Sequence, residues 1–201
     1  MRYFNNFDVF MKLVLSMTGG FYNTLIIFFF TLTFSLPLGL LIAFGRMSKN
    51  RIVSGIFRLY ISLMRGTPLM LQLMVVYFGP FYLFGMNIGK WRFPAIITGF
   101  ALNYGAYFAE IYRSGIVSMD RGQYEAAKLL GYSKGQTFVR IILPQVVKRI
   151  LPAITNEVIT LVKDTSLAFV LGIMEMFTQA KAIAAAQTSM MPYVIAGLIY
   201  W

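Results

Sequence analysis

The chain has 201 residues, of which 58% are hydrophobic and 12% charged, and its mean hydropathy is +0.69. Soluble domains average about 45–50% apolar and about 25% charged residues, so there are too few polar side chains to coat a water-soluble globule of this size. That excludes an ordinary cytosolic enzyme and a disordered chain. Cys and His are both absent, which removes disulfides, Cys-ligated zinc and the commonest general base and metal ligand. The formal charge of +11 comes from 18 basic against 7 acidic residues. The basic residues fall in the gaps between apolar runs, an arrangement of membrane topology rather than nucleic-acid binding.

In chain order, residues 1–20 read as a mixed external segment carrying Arg2, Asp8 and Lys12. Residues 13–45 are uncharged and exceed the about 20 residues needed to span a bilayer. They are too long for a signal-peptide core, and Asp8 spoils the basic flank such a peptide needs. They form an uncleaved first span, with Pro37 and Gly39 as kink points. A basic loop, 46–51, follows. Residues 52–84 are apolar but broken by Arg58 and by Arg65-Gly66-Thr67-Pro68. Straight, they would reach about 50 Å, so they read as one long kinked span. Pro80 and residues 85–92 make a turn, and 93–112 form a third span with Glu110 near its end, beside Arg113.

Residues 113–149 are the one sizeable polar region, with seven basic residues against Asp120 and Glu125. Residues 123–130 and 136–142 read as two short helices. Residues 150–177 are a fourth span interrupted by Glu157, Lys163, Asp164 and Glu175, the last expected to be solvated near the outer surface. Residues 178–189 are Ala-rich and read as a short surface helix. Residues 190–201 begin a fifth span but would cover only about 18 Å of a roughly 30 Å hydrocarbon core, so the last helix is expected to be truncated. Eleven loop Lys and Arg fall on one side (46, 49, 51, 58 and the seven of 113–149) and five on the other. The richer side is cytoplasmic by the positive-inside rule, which puts the N-terminus outside. The expectation is an all-α, multi-pass membrane protein of about five transmembrane helices.

Within the polar region, Glu125-Ala126-Ala127 is followed after three residues by Gly131 and after nine more by Ile141-x-Leu143-Pro144. Ala126 and Ala127 are small enough to let a helix lie close against a partner. Gly131 permits a bend, and Pro144 is expected to end the second short helix. The pattern resembles, spacing included, the EAA loop of bacterial ABC-importer permeases. Arg65-Gly-Thr-Pro-Leu69 with Gln72, the run 106–116, Gly122-Gln123-Tyr-Glu125 and Lys163-Asp164-Thr165-Ser166-Leu167 resemble the polar amino acid branch of that family.

The resemblance implies a type I ABC importer transmembrane domain over residues 21–201. Loop 113–149 would couple it to a cytoplasmic ABC ATPase dimer through Glu125, Ala126, Ala127, Gly131, Ile141, Leu143 and Pro144. It also implies a bacterial inner (cytoplasmic) membrane, a second permease subunit (identical or paralogous) and an extracytoplasmic substrate-binding protein. No G-x-x-x-x-G-K-[ST] run occurs, so this chain binds no nucleotide cofactor in a P-loop; ATP and Mg belong to the partner ATPase. An opine or organic cation is the alternative cargo. A passive channel is the reading from another class, disfavoured because nothing resembles a selectivity filter.

Charges inside lipid are costly and face a cavity or a partner. Glu157, Thr160 and Asp164 recur at helical spacing and share one face of the fourth span. For a zwitterionic amino acid, Glu157 or Asp164 can accept from the ammonium group, and Asn156, Thr160, Thr165 and Ser166 can donate to the carboxylate. The competing reading is neutralisation of Lys163 by Asp164 or Glu157. Arg65 reads as structural, a cap at the break in the second span, and Glu110 as the salt-bridge partner of Arg113. No catalytic or metal-ligating set is visible.

Overall fold

The computed structural model describes residues 7–201. The first six residues, including Arg2 of the expected external segment, lie outside that range. Every regular element among the described residues is helical: α1 (Phe7–Ser16), α2 (Thr18–Arg46), α3 (Arg51–Gly66), α4 (Leu69–Phe84), α5 (Arg92–Val117), α6 (Arg121–Leu129), α7 (Lys134–Thr137), α8 (Leu143–Asp164), α9 (Met176–Gln187) and α10 (Met191–Tyr200). A π-helical turn, Phe138–Ile142, joins α7 to α8, and a 3-10 turn, Thr165–Leu171, follows α8. Among the described residues, α2 is the one unbroken helix long and apolar enough to cross a membrane by itself.

The expected single span over 52–84 is two helices. Thr67 and Pro68 are both extended, with φ/ψ of −117/150° and −62/131°. Pro68 has no N–H to donate, and its ring pushes the preceding residue out of the helical region. The Thr67 N–H (3.1 Å) and Oγ1 (2.8 Å) both donate to the Leu63 carbonyl, so the last turn of α3 is closed locally. Pro80, expected in a turn, stays inside α4. The carbonyl four residues before it, Val76, takes a bond from the Trp91 indole N–H at 3.2 Å instead. The chain turns only at Gly85.

The expected fourth span also divides. α8 ends at Asp164, and Gly172, with φ +70°, closes the 3-10 turn. Glu175 is not solvated: it is fully buried. Its carboxyl caps α9, accepting from the Phe177 N–H (2.7 Å), the Thr178 N–H (2.8 Å) and the Thr178 hydroxyl (2.6 Å), and also from the Tyr200 hydroxyl (3.0 Å). The polar atoms of this segment are satisfied inside the protein rather than by water. The Ala-rich helix is likewise not a surface helix. Met176, Ala180 and Ala184 of α9 are buried, because small side chains allow close helix contact.

The chain divides into two units. One comprises residues up to Leu32, Pro68–Phe100 and Ile159–Trp201. Its core gathers Leu13, Met17, Met176, Ala180, Ile195 and Ala196. A Cβ on Gly20 would lie 2.8 Å from the Glu175 carbonyl oxygen, so α2 passes hard against the start of α9. There the Thr24 hydroxyl accepts from the Met176 N–H (3.2 Å), and the Asn23 amide donates to the Met174 carbonyl (2.8 Å).

The other unit comprises Thr33–Thr67 and Ala101–Val158. Ile42, Ala43, Ile61, Ala106 and Ala109 form one core, and Met119, Ile142, Val146 and Ile150 a second. Two long-range bonds hold α3 to α5: the Tyr60 hydroxyl donates to the Leu102 carbonyl (2.7 Å) and the Asn103 amide to the Met64 carbonyl (2.9 Å). Glu110 and Arg113 form the expected salt bridge.

Replacing Glu175 with Ala strands two helix N–H groups and two hydroxyls. It should destabilise the protein by about 3 kcal/mol, read as an earlier thermal transition of the detergent-solubilised chain.

Candidate functional site

The polar region builds a helical hairpin from local rules. The Asp120 side chain accepts from the Gly122 N–H at 3.0 Å and so starts α6. At its other end the Gly131 N–H donates to Lys128 O and the Tyr132 N–H to Ala127 O, both at 3.0 Å. This paired closure of a helix end requires a left-handed residue between the two donors, and Gly131 supplies it with φ +79°. Two residues later Ser133 and Gln136 cap α7 reciprocally, at 2.9 and 3.3 Å. The sequence placed the bend correctly at Gly131.

Pro144 does not end the second helix. The chain is helical without interruption from Lys134 to Asp164, with Pro144 in the first turn of α8. The π turn is the physical reason. Pro144 cannot donate to the preceding turn and its ring needs room; widening residues 138–142 provides it, and the Leu143 N–H reaches back five residues to Phe138 O.

Glu125 and Ala126 are exposed, as are Gly131, Leu143 and Pro144, while Ile141 is half-buried. Ala127 faces the chain's own interior at 1% exposure, so only one of the two alanines is presented outward. The outward surface is apolar at its tip, where Leu129 is 90% and Leu130 75% exposed. Beside it, a cleft of about 650 Å³ is lined by Tyr124, Glu125, Lys128, Tyr132, Ser133, Lys134, Thr137 and Phe138.

Two clamps at the base of the hairpin escaped the sequence reading. The side-chain amides of Gln123 and Gln145 pair reciprocally at 3.0 and 2.7 Å, joining α6 to α8. Arg149 donates to the Ser118 carbonyl (2.7 Å) and hydroxyl (3.0 Å), joining α8 to the end of α5. Gln and Arg in a charged loop give no sign that they pair with residues 22 and 31 positions away.

The second group lies on α8 and the turn after it. Asn156 is exposed and Glu157 half-buried in the unit that ends at Val158. Thr160 is exposed and Asp164 and Ser166 half-buried in the other. Thr165 is fully buried, and its hydroxyl donates to the Val162 carbonyl at 2.6 Å. Arg65, expected to cap the break after α3, lies instead over the Tyr107 ring, 5.1 Å from its centre. Among the described residues, no three acidic side chains gather as a metal site.

Known proteins share this arrangement. Residues 35–201 match the family described as binding-protein-dependent transport system inner membrane component. The L-cystine transport system permease protein TcyB of Bacillus subtilis is 38% identical over 92% of this chain and 79% of its own length. The arginine transport system permease protein ArtQ of the same organism is 42% identical over 83% of this chain and 75% of its own. A crystal structure described as an amino acid ABC transporter with histidines superimposes with a TM-score of 0.86 at 36% identity, over 97% of this chain and 90% of that one.

The Gly131 backbone sets a local prediction. Gly131→Ala forces a Cβ into the left-handed region at a cost of roughly 1–2 kcal/mol. Hydrogen exchange in the last turn of α6 should speed up by about tenfold, with little change in α2.

Proposed function

This chain belongs to the family of binding-protein-dependent transport system inner membrane components; it is an ABC importer permease, a transport component and not an enzyme, and we propose that its cargo is a polar amino acid. Membership implies an ATPase subunit to supply energy and a substrate-binding protein to deliver cargo. The amino acid assignment is supported by relatives named for L-cystine and arginine transport and by the similar transporter described with histidines.

The observation that carries the mechanism is the exposed α6–α7 hairpin, with the Glu125–Pro144 spacing complete and Gly131 at its bend. The hairpin docks in a groove of the ATPase, with Glu125, Ala126 and the Leu129–Leu130 tip at the contact. ATP and Mg sit on that partner. ATPase closure moves the hairpin and, through α8, the membrane helices; the cavity opens outward, and hydrolysis returns it inward. Two permease chains, identical or paralogous, enclose the pathway. The N-terminus lies outside, supported by ten Lys and Arg in residues 46–51 and 113–149 against five on the other side.

Within the pathway Glu157 and Asp164 accept from the cargo's ammonium group, while Asn156, Thr160 and Ser166 are the candidate carboxylate donors; Thr165, expected among them, is buried with its hydroxyl bonded to Val162 O. The two acids against Lys163 favour cargo with a positive side chain.

ATP-driven uptake by proteoliposomes holding the permease, ATPase and binding protein tests the coupling reading. Glu125→Lys and Gly131→Pro should each abolish uptake while membrane insertion stays intact, and normal transport by either would remove the hairpin from the coupling role. For the cargo, Glu157→Gln and Asp164→Asn should weaken uptake of basic amino acids about tenfold or more, the size of a charge-assisted bond. Unchanged uptake in both would place the ammonium site elsewhere.

A further inference from the structure

The unit that contains α3 is strongly basic even outside its hairpin. Residues 33–67 and 101–117 carry six Lys and Arg against one acid, Glu110. Arg113 takes that carboxylate: its Nε donates to both oxygens, at 3.1 and 3.0 Å. The charges of Arg65 and Arg46 reach the same carboxylate. Three cations thus share one anion, and the surplus positive charge rests on Arg46 and Arg65. Both side chains are held in place. Arg46 donates to the Ser54 hydroxyl at 3.0 Å, tying the end of α2 to the start of α3, and the Arg65 guanidinium lies over the Tyr107 ring.

The cluster sits at the hairpin end of the helices. Arg46 ends α2, Arg113 lies about 6 Å before the end of α5, and Tyr107 about 9 Å before that. This is the level at which a span leaves hydrocarbon for the headgroups. Basic clefts between helices at that level recognise the phosphate of anionic lipids, and a guanidinium offers a phosphate two parallel donors.

The outer surface of α3 has a matching shape. Arg51, Arg58 and Arg65 recur every seven residues along one side. Ile52, Ile56, Leu59 and Leu63 form an exposed apolar row along another. By the 3.6-residue turn, Gly55, Ser62 and Gly66 fall between the two rows. All three are exposed, and a Cβ on Gly55 or Gly66 would meet nothing within 4 Å. The helix therefore offers a shallow furrow with cations on one bank and hydrocarbon on the other. A zwitterionic lipid satisfies the apolar bank but not the surplus charge; an anionic one satisfies both.

We propose that this surface seats one anionic phospholipid of the hairpin-side leaflet, with its phosphate on Arg46 and Arg65 and an acyl chain in the furrow against the apolar row of α3. The lipid site is separate from the cargo reading above and does not depend on it.

The chain has no cysteine, so Ser62→Cys can carry a single bimane fluorophore in the furrow. The labelled chain, assembled with its ATPase, is placed in phosphatidylcholine vesicles containing rising fractions of dibromo phosphatidylglycerol or of dibromo phosphatidylcholine. Bromine on the acyl chain quenches only on contact, so a free phosphate ion is silent in this measurement. The label should prefer the phosphatidylglycerol by about tenfold or more. Arg46→Gln and Arg65→Gln should each reduce that preference about fivefold, while Arg65→Lys should keep it. As a control, a label at Leu198→Cys, exposed on α10 in the uncharged stretch 182–201, should show no preference.

Equal quenching by the two lipids would overturn the seat. So would a preference that survives loss of both arginines or appears equally at Leu198→Cys, since either outcome is general attraction of anionic lipid to a basic protein. If neither lipid quenches the label in the furrow, a second permease chain covers that side of α3 and the lipid site falls.

Discussion

In hydrocarbon no water is available to a backbone N–H or C=O, so a helix can break only where something else completes its hydrogen bonds. The breaks in this chain obey that constraint. Thr67 closes the end of α3 on Leu63 O with both its N–H and its hydroxyl. Even where Pro80 leaves α4 unbroken, the Val76 carbonyl that loses its donor is filled by the Trp91 indole. Glu175 satisfies the first N–H groups of α9 and takes a further bond from Tyr200. Long helices can be cut into shorter ones here because each cut carries its own polar partner.

The same economy governs the packing. With no water to expel between helices, association depends on close fit. Gly39 lies where a Cβ would meet the Phe108 side chain at 2.8 Å, and Gly105 where it would meet Leu38 at 3.1 Å. Gly115 sits against Ile150 in the same way. The small residues are contact points, and the two core bonds from Tyr60 and Asn103 fix the register of α3 against α5.

Much of this was legible in the residues. The helical class, the first span, the polar hairpin with its bend at Gly131 and the Glu110–Arg113 pair all follow from composition, periodicity and local spacing. What the sequence concealed is long-range. Nothing within a few residues of Glu175 announces that Tyr200 will donate to it, so a carboxyl near the end of an apolar run reads as solvated. Pro68 and Pro80 look alike in the chain, yet one breaks a helix and the other does not; each leaves a carbonyl four residues back, Met64 and Val76, and a distant side chain fills it, Asn103 in one case and Trp91 in the other. Pro144 reads as a stop because a π turn has no sequence signature. For the candidate site, the outward surface of the hairpin was readable from its spacing, but the inward turn of Ala127 and the Gln123–Gln145 clamp were not.

That π turn carries the helical chain from the hairpin into α8 without a break, from Lys134 to Val158 within one unit, about 37 Å of helix. Ile142, Val146 and Ile150 ride on this stretch, so a displacement of the hairpin is felt first by the core they share with Met119.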